Sequence, residues 1–220
     1  MRAMRVSLRC VLVAFTLPLL LPLALVPAGR ADAPVSARWE QVDHDDGIRV
    51  WQHDVPGLDL PGFRGEATID APLASLEAAI VDVVHHREWM FRCAESLELE
   101  RYGDEGSVLY NRTASPWPIW DRDVVLEASV TRSLDAATVL ISFHNVKSSS
   151  YPTPERVVRM PRLVGFYRLH KLSDTRTEVT YQVEADPGGS LPRWLAARVA
   201  RDLPHETLKR LRARVTGAVL

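Results

Sequence analysis

The side chains best suited to acid–base, nucleophilic or metal chemistry are Cys93 and seven histidines. The histidines are His44, His53, His85, His86, His144, His170 and His205. None of them falls in an H-E-x-x-H motif or another recognised metal-ligand spacing, and the chain has no G-x-S-x-G nucleophile elbow. His85 and His86 precede Cys93 closely, but adjacent side chains on a helix point in different directions, which disfavours a Cys/His nucleophile. The sequence therefore predicts no catalytic residue, no metal site and no cofactor, and a protein that is not an enzyme.

A second chemical candidate is Arg122, which lies between Asp121 and Asp123 and could form a charged catalytic triplet with them. Arginine flanked by carboxylates commonly forms charge-assisted hydrogen bonds. We therefore expect an ion pair at the start of a strand that holds the preceding loop. That loop contains Trp117 and Trp120, whose amphipathic rings suit contact with a membrane or ligand as well as burial.

Apolar periodicity predicts the elements that position these residues. Segments 47–55 and 63–69 alternate as strands and form a hairpin, and a helix follows over about 72–84, reaching Trp89 at most, with Asp70 as its N-cap. Six further β-like runs lie at 96–101, 107–114, 122–132, 137–146, 163–171 and 177–185. Sequential hairpins predict a twisted antiparallel sheet.

A long helix is predicted from Leu191 to about Val215. Its apolar residues at i, i+4 spacing lie on one face, and Pro204 should kink it because proline cannot donate a backbone hydrogen bond. This face comprises Leu191, Leu195, Val199 and Leu203. A sheet that curls around such a helix leaves room for a cavity between them.

The N-terminus has the order of a secretory signal peptide. The first 31 residues hold four arginines and no acidic residue, and residues 10–26 carry no charge. We predict a signal peptide over 1–31, cleaved near 28–31, a short linker over 32–38, and an exported protein that is periplasmic or secreted. The alternative is a membrane anchor formed by residues 10–26, although Pro18 and Pro22 disfavour the helix that an anchor needs.

Charge limits the class of partner. The chain has a net charge of −1, and loss of the four leader arginines makes it −5, which disfavours nucleic acid. Cys93 is the only cysteine beyond the leader, so no intramolecular disulfide is expected. The last helix is instead basic and could contact an anionic membrane transiently, or simply present a solvated face. Its charged residues are Arg193, Arg198, Arg201, Lys209, Arg210, Arg212 and Arg214, against Asp202 and Glu206.

Four motifs, in order, resemble those of the START (StAR-related lipid-transfer) domains of the helix-grip, Bet v 1-like superfamily. Residues 116–123 (PWPIWDRD) are similar to the family's P-x-P-x-x-x-R-D run, and residues 186–195 (DPGGSLPRWL) to its D-x-x-G-x-[IL]-P-x-W-L run. Trp39 with 47–50 (GIRV), and 87–90 (REWM), also fit. The resemblance implies an α+β helix-grip domain over 39–217, in which eight or nine antiparallel strands wrap around the C-terminal helix and enclose an apolar cavity.

The resemblance also implies which residues line this cavity. Phosphatidylcholine- and cholesterol-carrying members have an arginine six positions after the motif arginine, where this chain has Ala128. In the sterol carriers the acidic partner of this arginine falls near Leu109. If these positions face inward, alternation along each strand brings their neighbours inward too. With the last helix, the predicted ligand-binding residues are Leu109, Asn111, Thr113, Val124, Leu126, Ala128, Val130, Leu191, Leu195 and Val199. A mostly aliphatic wall suits a neutral or weakly polar ligand; the alternative is that these residues fill a core.

The expected function is that of a carrier. A monomer would bind one lipid, sterol or other apolar molecule in an internal tunnel and move it outside the cytoplasm. Trp117, Trp120 and Trp194 would form the lid and membrane contact, and the loop 116–120 and the helix after Pro192 would open, with Gly188-Gly189 as hinge. Alternatives are a cyclase- or hydrolase-like enzyme of the same superfamily, or a membrane-anchored ligand-sensing module.

Overall fold

The computed structural model describes residues 38–147 and 151–218. The predicted signal peptide, the anchor alternative and most of the linker lie outside these ranges. Within them the strands are β1 (Glu40–Asp45), β2 (Ile48–His53), β3 (Gly62–Ile69), β4 (Cys93–Arg101), β5 (Gly106–Thr113), β6 (Asp121–Arg132), β7 (Thr138–Asn145), β8 (Val157–Arg159), β9 (Arg162–Ser173) and β10 (Arg176–Asp186). The α-helices are α1 (Leu73–Val81), α2 (His86–Trp89) and α3 (Arg193–Thr216).

The strands form one sheet in the order β1-β2-β3-β10-β9-β7-β6-β5-β4. All neighbours in this order are antiparallel, and β8 alone pairs in parallel, with the first residues of β6. The long helix α3 contacts β2, β3 and β10. The predicted helix-grip fold is therefore confirmed, as is the hairpin of β2 and β3.

Two strands, β1 and β8, were not predicted from the sequence. β1 carries one half-buried residue and five exposed ones, so it shows no apolar alternation. β8 is only three residues long. Hydrogen-bonded pairing with a neighbouring strand, rather than burial of one face, specifies β1 and β8.

The helical segment after β3 is shorter and more broken than expected. Pro72, not Asp70, occupies the N-cap position, and no side chain caps the helix; Asp70 instead pairs with Arg176 at 3.1 Å. α1 ends at Val81, and a 3₁₀ turn (Val83–His85) leads into α2. This change of direction turns His86 into the interior, where it is buried.

Burial divides α3 sharply at Pro204. Among the described side chains of α3, none before Pro204 is buried, whereas Thr207, Leu208 and Leu211 are fully buried. The helix runs through Pro204 as one element and ends at Gly217, whose φ of 71° suits a left-handed C-cap. Gly65 on β3 permits close approach, because a Cβ there would lie 2.9 Å from the Pro204 Cβ. The second half of α3 is thus part of the main core.

No helix among the described residues is long and apolar enough to cross a membrane.

Candidate functional site

Two adjoining cavities lie on the concave face of the sheet. The inner cavity has a volume of about 160 Å³ and the outer one of about 140 Å³. Each exceeds by about tenfold the roughly 15 Å³ that one buried water molecule requires. Thr113, Leu163 and Leu203 border both cavities, so the two lie side by side and share part of their wall.

All ten residues predicted to bind ligand border one of these two cavities. The pairing of β5 with β6 sets Leu109 opposite Leu126 and Asn111 opposite Val124, which places alternate residues of both strands on the same face. Seven of the ten border the inner cavity: Leu109, Asn111, Thr113, Val124, Leu126, Ala128 and Val130. Leu195 and Val199 on α3, and Leu191, which lies just before α3 and not inside it as predicted, border the outer cavity. Their contact with a ligand remains a prediction.

Sequence reasoning missed the opposite wall of the inner cavity. Phe143 on β7, Leu163 and Tyr167 on β9 and Tyr181 on β10 border it, as does His86 on α2. The register aligns Phe143 with Ala128, and Tyr167 with both Ile141 and Tyr181. Side chains alternate between the two faces of each of these strands. Which face points into the cavity depends on strand pairings that no local sequence pattern specifies.

Charged groups of the inner cavity lie where β5 begins and β6 ends. Arg101 donates to Glu98 and to the Val81 carbonyl, and Arg132 donates to Glu77. Both arginines are thus paired with carboxylates. Asp104 is a further charged residue of this wall, and the other lining residues are mainly apolar.

Arg122 does not form the ion pair expected from its neighbours. It is 6% exposed, borders the outer cavity and donates to three backbone carbonyls, at 2.5 Å to Trp120, 3.3 Å to Pro187 and 3.2 Å to Gly188. Burial lowers its pKa. Arg122 thus joins the loop before β6 to the loop before α3, which are the two segments expected to open.

Asp121 and Asp123, which flank Arg122 in the sequence, pair with other residues. Asp123 is fully buried and accepts two hydrogen bonds from Arg159, at 2.7 and 3.0 Å. Asp121 accepts from Arg112 at 2.9 Å and from the Ser115 backbone. The prediction of an ion pair at the start of this strand is therefore right for the two aspartates and wrong for Arg122.

Three tryptophans near the outer cavity are exposed. Trp117 is 92% exposed, Trp194 69% and Trp120 56%. Trp117 and Trp120 belong to the loop whose Pro116 and Ile119 border the outer cavity, and Trp194 lies in the first turn of α3. The alternative that the loop tryptophans are buried is wrong.

Much of the basic charge of α3 is engaged by carboxylates. Arg212 pairs with Asp46 and Arg214 with Glu88 at 3.2 Å, while Arg210 lies 3.7 Å from Glu206. Arg198 and Arg201, in the half beside the outer cavity, share Asp202 at 3.9 and 3.5 Å and are exposed. Beside the outer cavity, two exposed arginines therefore share one carboxylate.

No group of three or more His, Cys, Asp or Glu side chains in the described ranges could hold a metal ion. Cys93 is half-buried, and its sulfur accepts a hydrogen bond from Asn111 at 3.4 Å. Burial raises the pKa of the Cys93 thiol, which makes it a poorer nucleophile.

Comparison with known proteins agrees with this geometry. The START domain family model matches residues 36–218. An uncharacterised protein of Pseudomonas aeruginosa is 34% identical over 193 residues, which cover 87% of this chain and 93% of that protein. A STAR-related lipid transfer protein fragment from Xanthomonas axonopodis is 31% identical, with a TM-score of 0.74, and the match covers 81% of this chain and 98% of that one.

The fold extends to more distant structures. Human StAR-related lipid transfer protein 5 superposes with a TM-score of 0.73 at 19% identity, over 83% of this chain and 88% of that one. The family model covers most of the chain, and two relatives exceed 30% identity over most of their length. The chain belongs to the START domain family.

Proposed function

We propose that this chain is a non-enzymatic carrier that binds one apolar molecule, such as a lipid or sterol, and moves it outside the cytoplasm. The observation that carries the proposal is the pair of adjoining, mainly apolar cavities, which lie between the sheet and the helices and of which the outer one borders the first half of α3. Burial of an alkyl chain recovers about 0.8 kcal/mol per CH₂ relative to water. Such a space can therefore compete with a bilayer for a lipid chain. The predicted leader over residues 1–31 supports the location.

Exchange of ligand requires a gap at the outer cavity. Its wall there is formed by the loop 116–120 and the start of α3, which Arg122 connects. Gly188 and Gly189 both have positive φ, of 62° and 61°, and lie where the second segment would turn. We infer that these two segments separate when ligand passes.

The decisive experiment is native mass spectrometry of the purified protein, with solvent extraction of the molecules that co-purify. We expect one intact apolar molecule per chain, unchanged in covalent structure after prolonged incubation. A protein recovered empty, which also accepts no lipid from phosphatidylglycerol/phosphatidylethanolamine vesicles, would contradict the carrier function. Recovery of a chemically altered ligand would favour the enzyme alternative.

The exposed tryptophans support a membrane-facing role for the same end of the molecule. Indole rings favour the interface between water and apolar chains, and basic residues near an anionic surface contribute about 1 kcal/mol each. Trp117 and Trp194, with Arg198 and Arg201 on the first turns of α3, supply both contributions. We propose transient docking of this end on anionic membrane.

Replacing Trp117 with alanine is expected to weaken binding to phosphatidylglycerol-containing vesicles roughly tenfold, because about 1.4 kcal/mol of apolar burial is lost. Vesicle co-sedimentation measures the partition coefficient. Leu134→Ala is the matched control, since Leu134 is fully exposed in the β6–β7 turn, at the other end of β6 from Trp120. Equal losses for both variants would overturn the proposed orientation.

A further inference from the structure

The outer cavity has one charged residue in a mainly apolar wall. Among the described residues that border it, Arg122 alone carries a charge, and the others are mainly apolar. Arg122 is 6% exposed. A buried charge in a native protein is normally compensated by an opposite charge. The charge balance around Arg122 therefore indicates what the outer cavity binds.

No ion pair joins Arg122 to a carboxylate in the described part of the chain. Its sequence neighbours Asp121 and Asp123 pair instead with Arg112 and Arg159, at 2.9 and 2.7 Å. These two carboxylates are thus already balanced by other arginines. The guanidinium of Arg122 is buried beside the cavity without a counter-charge of its own.

Hydrogen bonds to the backbone occupy only part of this guanidinium, which has five N–H donors. Three of them go to the carbonyls of Trp120, Pro187 and Gly188, one each from Nη1, Nε and Nη2. One N–H on Nη1 and one on Nη2 therefore remain without an acceptor among the described residues. Carbonyl oxygens carry only partial charges, so they do not neutralise the arginine.

A hydroxyl group lies beside the guanidinium. Thr113 is the partner of Arg122 in the pairing of β5 with β6, and it borders the outer cavity as well. Directly opposite residues of two antiparallel strands have their Cβ atoms about 5 Å apart on the same face. The half-buried Thr113 hydroxyl makes no hydrogen bond within the described ranges. It is therefore a further donor for a group bound at Arg122.

We propose that the outer cavity binds the carboxylate of an anionic amphiphile, a long-chain carboxylic acid, through Arg122 and Thr113. The carboxylate supplies the missing counter-charge, and its two oxygens match the two free N–H groups. One guanidinium balances one negative charge, which favours a carboxylate over a phosphate monoester of about −1.5 to −2. This inference rests on the proposed carrier function and narrows its ligand class.

Three probes with the same ten-carbon chain isolate the contribution of the charge. Decanoate is an anion at neutral pH, whereas decan-1-ol and methyl decanoate are neutral. Their affinities are measured by displacement of a neutral fluorescent dye from the purified protein after removal of bound lipid. Arg122→Gln should weaken decanoate at least about tenfold more than either neutral probe, the size of one charge-assisted hydrogen bond.

Arg122→Lys separates the charge from the structure of the loops. Lysine keeps the positive charge but does not reproduce the planar set of donors that bonds three carbonyls. Both variants therefore loosen the contact between the two loops, but only Arg122→Gln should lose the preference for decanoate. Because the readout is a ratio between probes, lower stability or faster exchange in both variants cancels.

Arg162→Gln is the matched charge control. Arg162 is exposed, pairs with Glu184 at 3.1 Å and borders neither cavity, so its loss changes the net charge equally without touching the site. Thr113→Val is a second variant that leaves the loop contacts of Arg122 in place. It should weaken decanoate several-fold relative to methyl decanoate, and it tests the site if Arg122→Gln does not fold.

The outcomes distinguish this inference from the carrier function. If Arg122→Gln changes the probe ratios no more than Arg162→Gln, or if Arg122→Lys loses the preference for decanoate equally, the carboxylate site is wrong and the carrier function stands. Tighter binding of decyl phosphate than of decanoate would overturn the choice of carboxylate. If the wild type binds none of the probes and also remains empty after exposure to vesicles, both proposals fail.

Discussion

Replacing Ala128 with tryptophan is expected to abolish ligand loading while the protein remains folded. Ala128 lies on β6 opposite Ser107 and Phe143, and its side chain borders the inner cavity of about 160 Å³. An indole at this position takes the space that an alkyl chain would use. Because the cavity can accept part of the added volume, the cost should stay within the 1–3 kcal/mol typical of overpacking, which is less than the stability of most domains.

Loading is measured by native mass spectrometry after exposure to lipid vesicles, and folding by urea unfolding. We expect less than one tenth of Ala128→Trp chains to carry ligand. Glu127→Trp is the matched control, because Glu127 is the adjacent residue on β6 and its side chain is exposed on the opposite face. If both variants load like the wild type, the ligand does not occupy the inner cavity.

Replacing Arg122 with alanine is expected to lower the free energy of unfolding by about 3 kcal/mol and to accelerate ligand exchange about tenfold. The substitution removes hydrogen bonds from a charged donor to the carbonyls of Trp120, Pro187 and Gly188. Each such bond contributes up to about 1.5–3 kcal/mol, partly offset by the cost of burying the guanidinium. Separation of the two loops then meets a lower barrier.

Urea unfolding measures the first effect, and stopped-flow release of a fluorescent apolar dye the second. Arg176→Ala is the control, since Arg176 is exposed and its pair with exposed Asp70 should contribute less than about 1 kcal/mol. Stability loss without faster release would limit Arg122 to a structural role. Effects no larger than those of Arg176→Ala would contradict the connection between the loops altogether.

The part of the site that could be predicted from sequence is the part with local periodicity. The family resemblance placed Leu109 and Ala128 at the cavity, alternation on β5 and β6 brought their neighbours to the same face, and four-residue spacing placed Leu195 and Val199 on one face of the last helix. The elements followed from their periodicity, and the helix-grip fold from the resemblance of four motifs. The periodic part of these inferences needs only the repeat of a strand or helix, which the sequence displays directly.

The remainder depends on contacts between segments far apart in the chain. The partners of Arg122 at Pro187 and Gly188 lie 65 and 66 residues away. The aspartates next to Arg122 in the sequence led to the wrong prediction that Arg122 pairs with them. His86 entered the cavity wall because the helix breaks at Asp82, which a single helical period does not foresee. Residues of this kind carry the polar chemistry of the site.

Pro204 separates two parts of α3 that differ in how freely their residues can be substituted. Before it, α3 borders the outer cavity with partly exposed side chains; after it, Leu208 and Leu211 belong to the core. Substitutions in the first half can therefore alter the lining of the outer cavity at little cost to folding. Those in the second half are constrained by packing against β3 and α1. The shape of the outer cavity and the stability of the core thus depend on different halves of one helix.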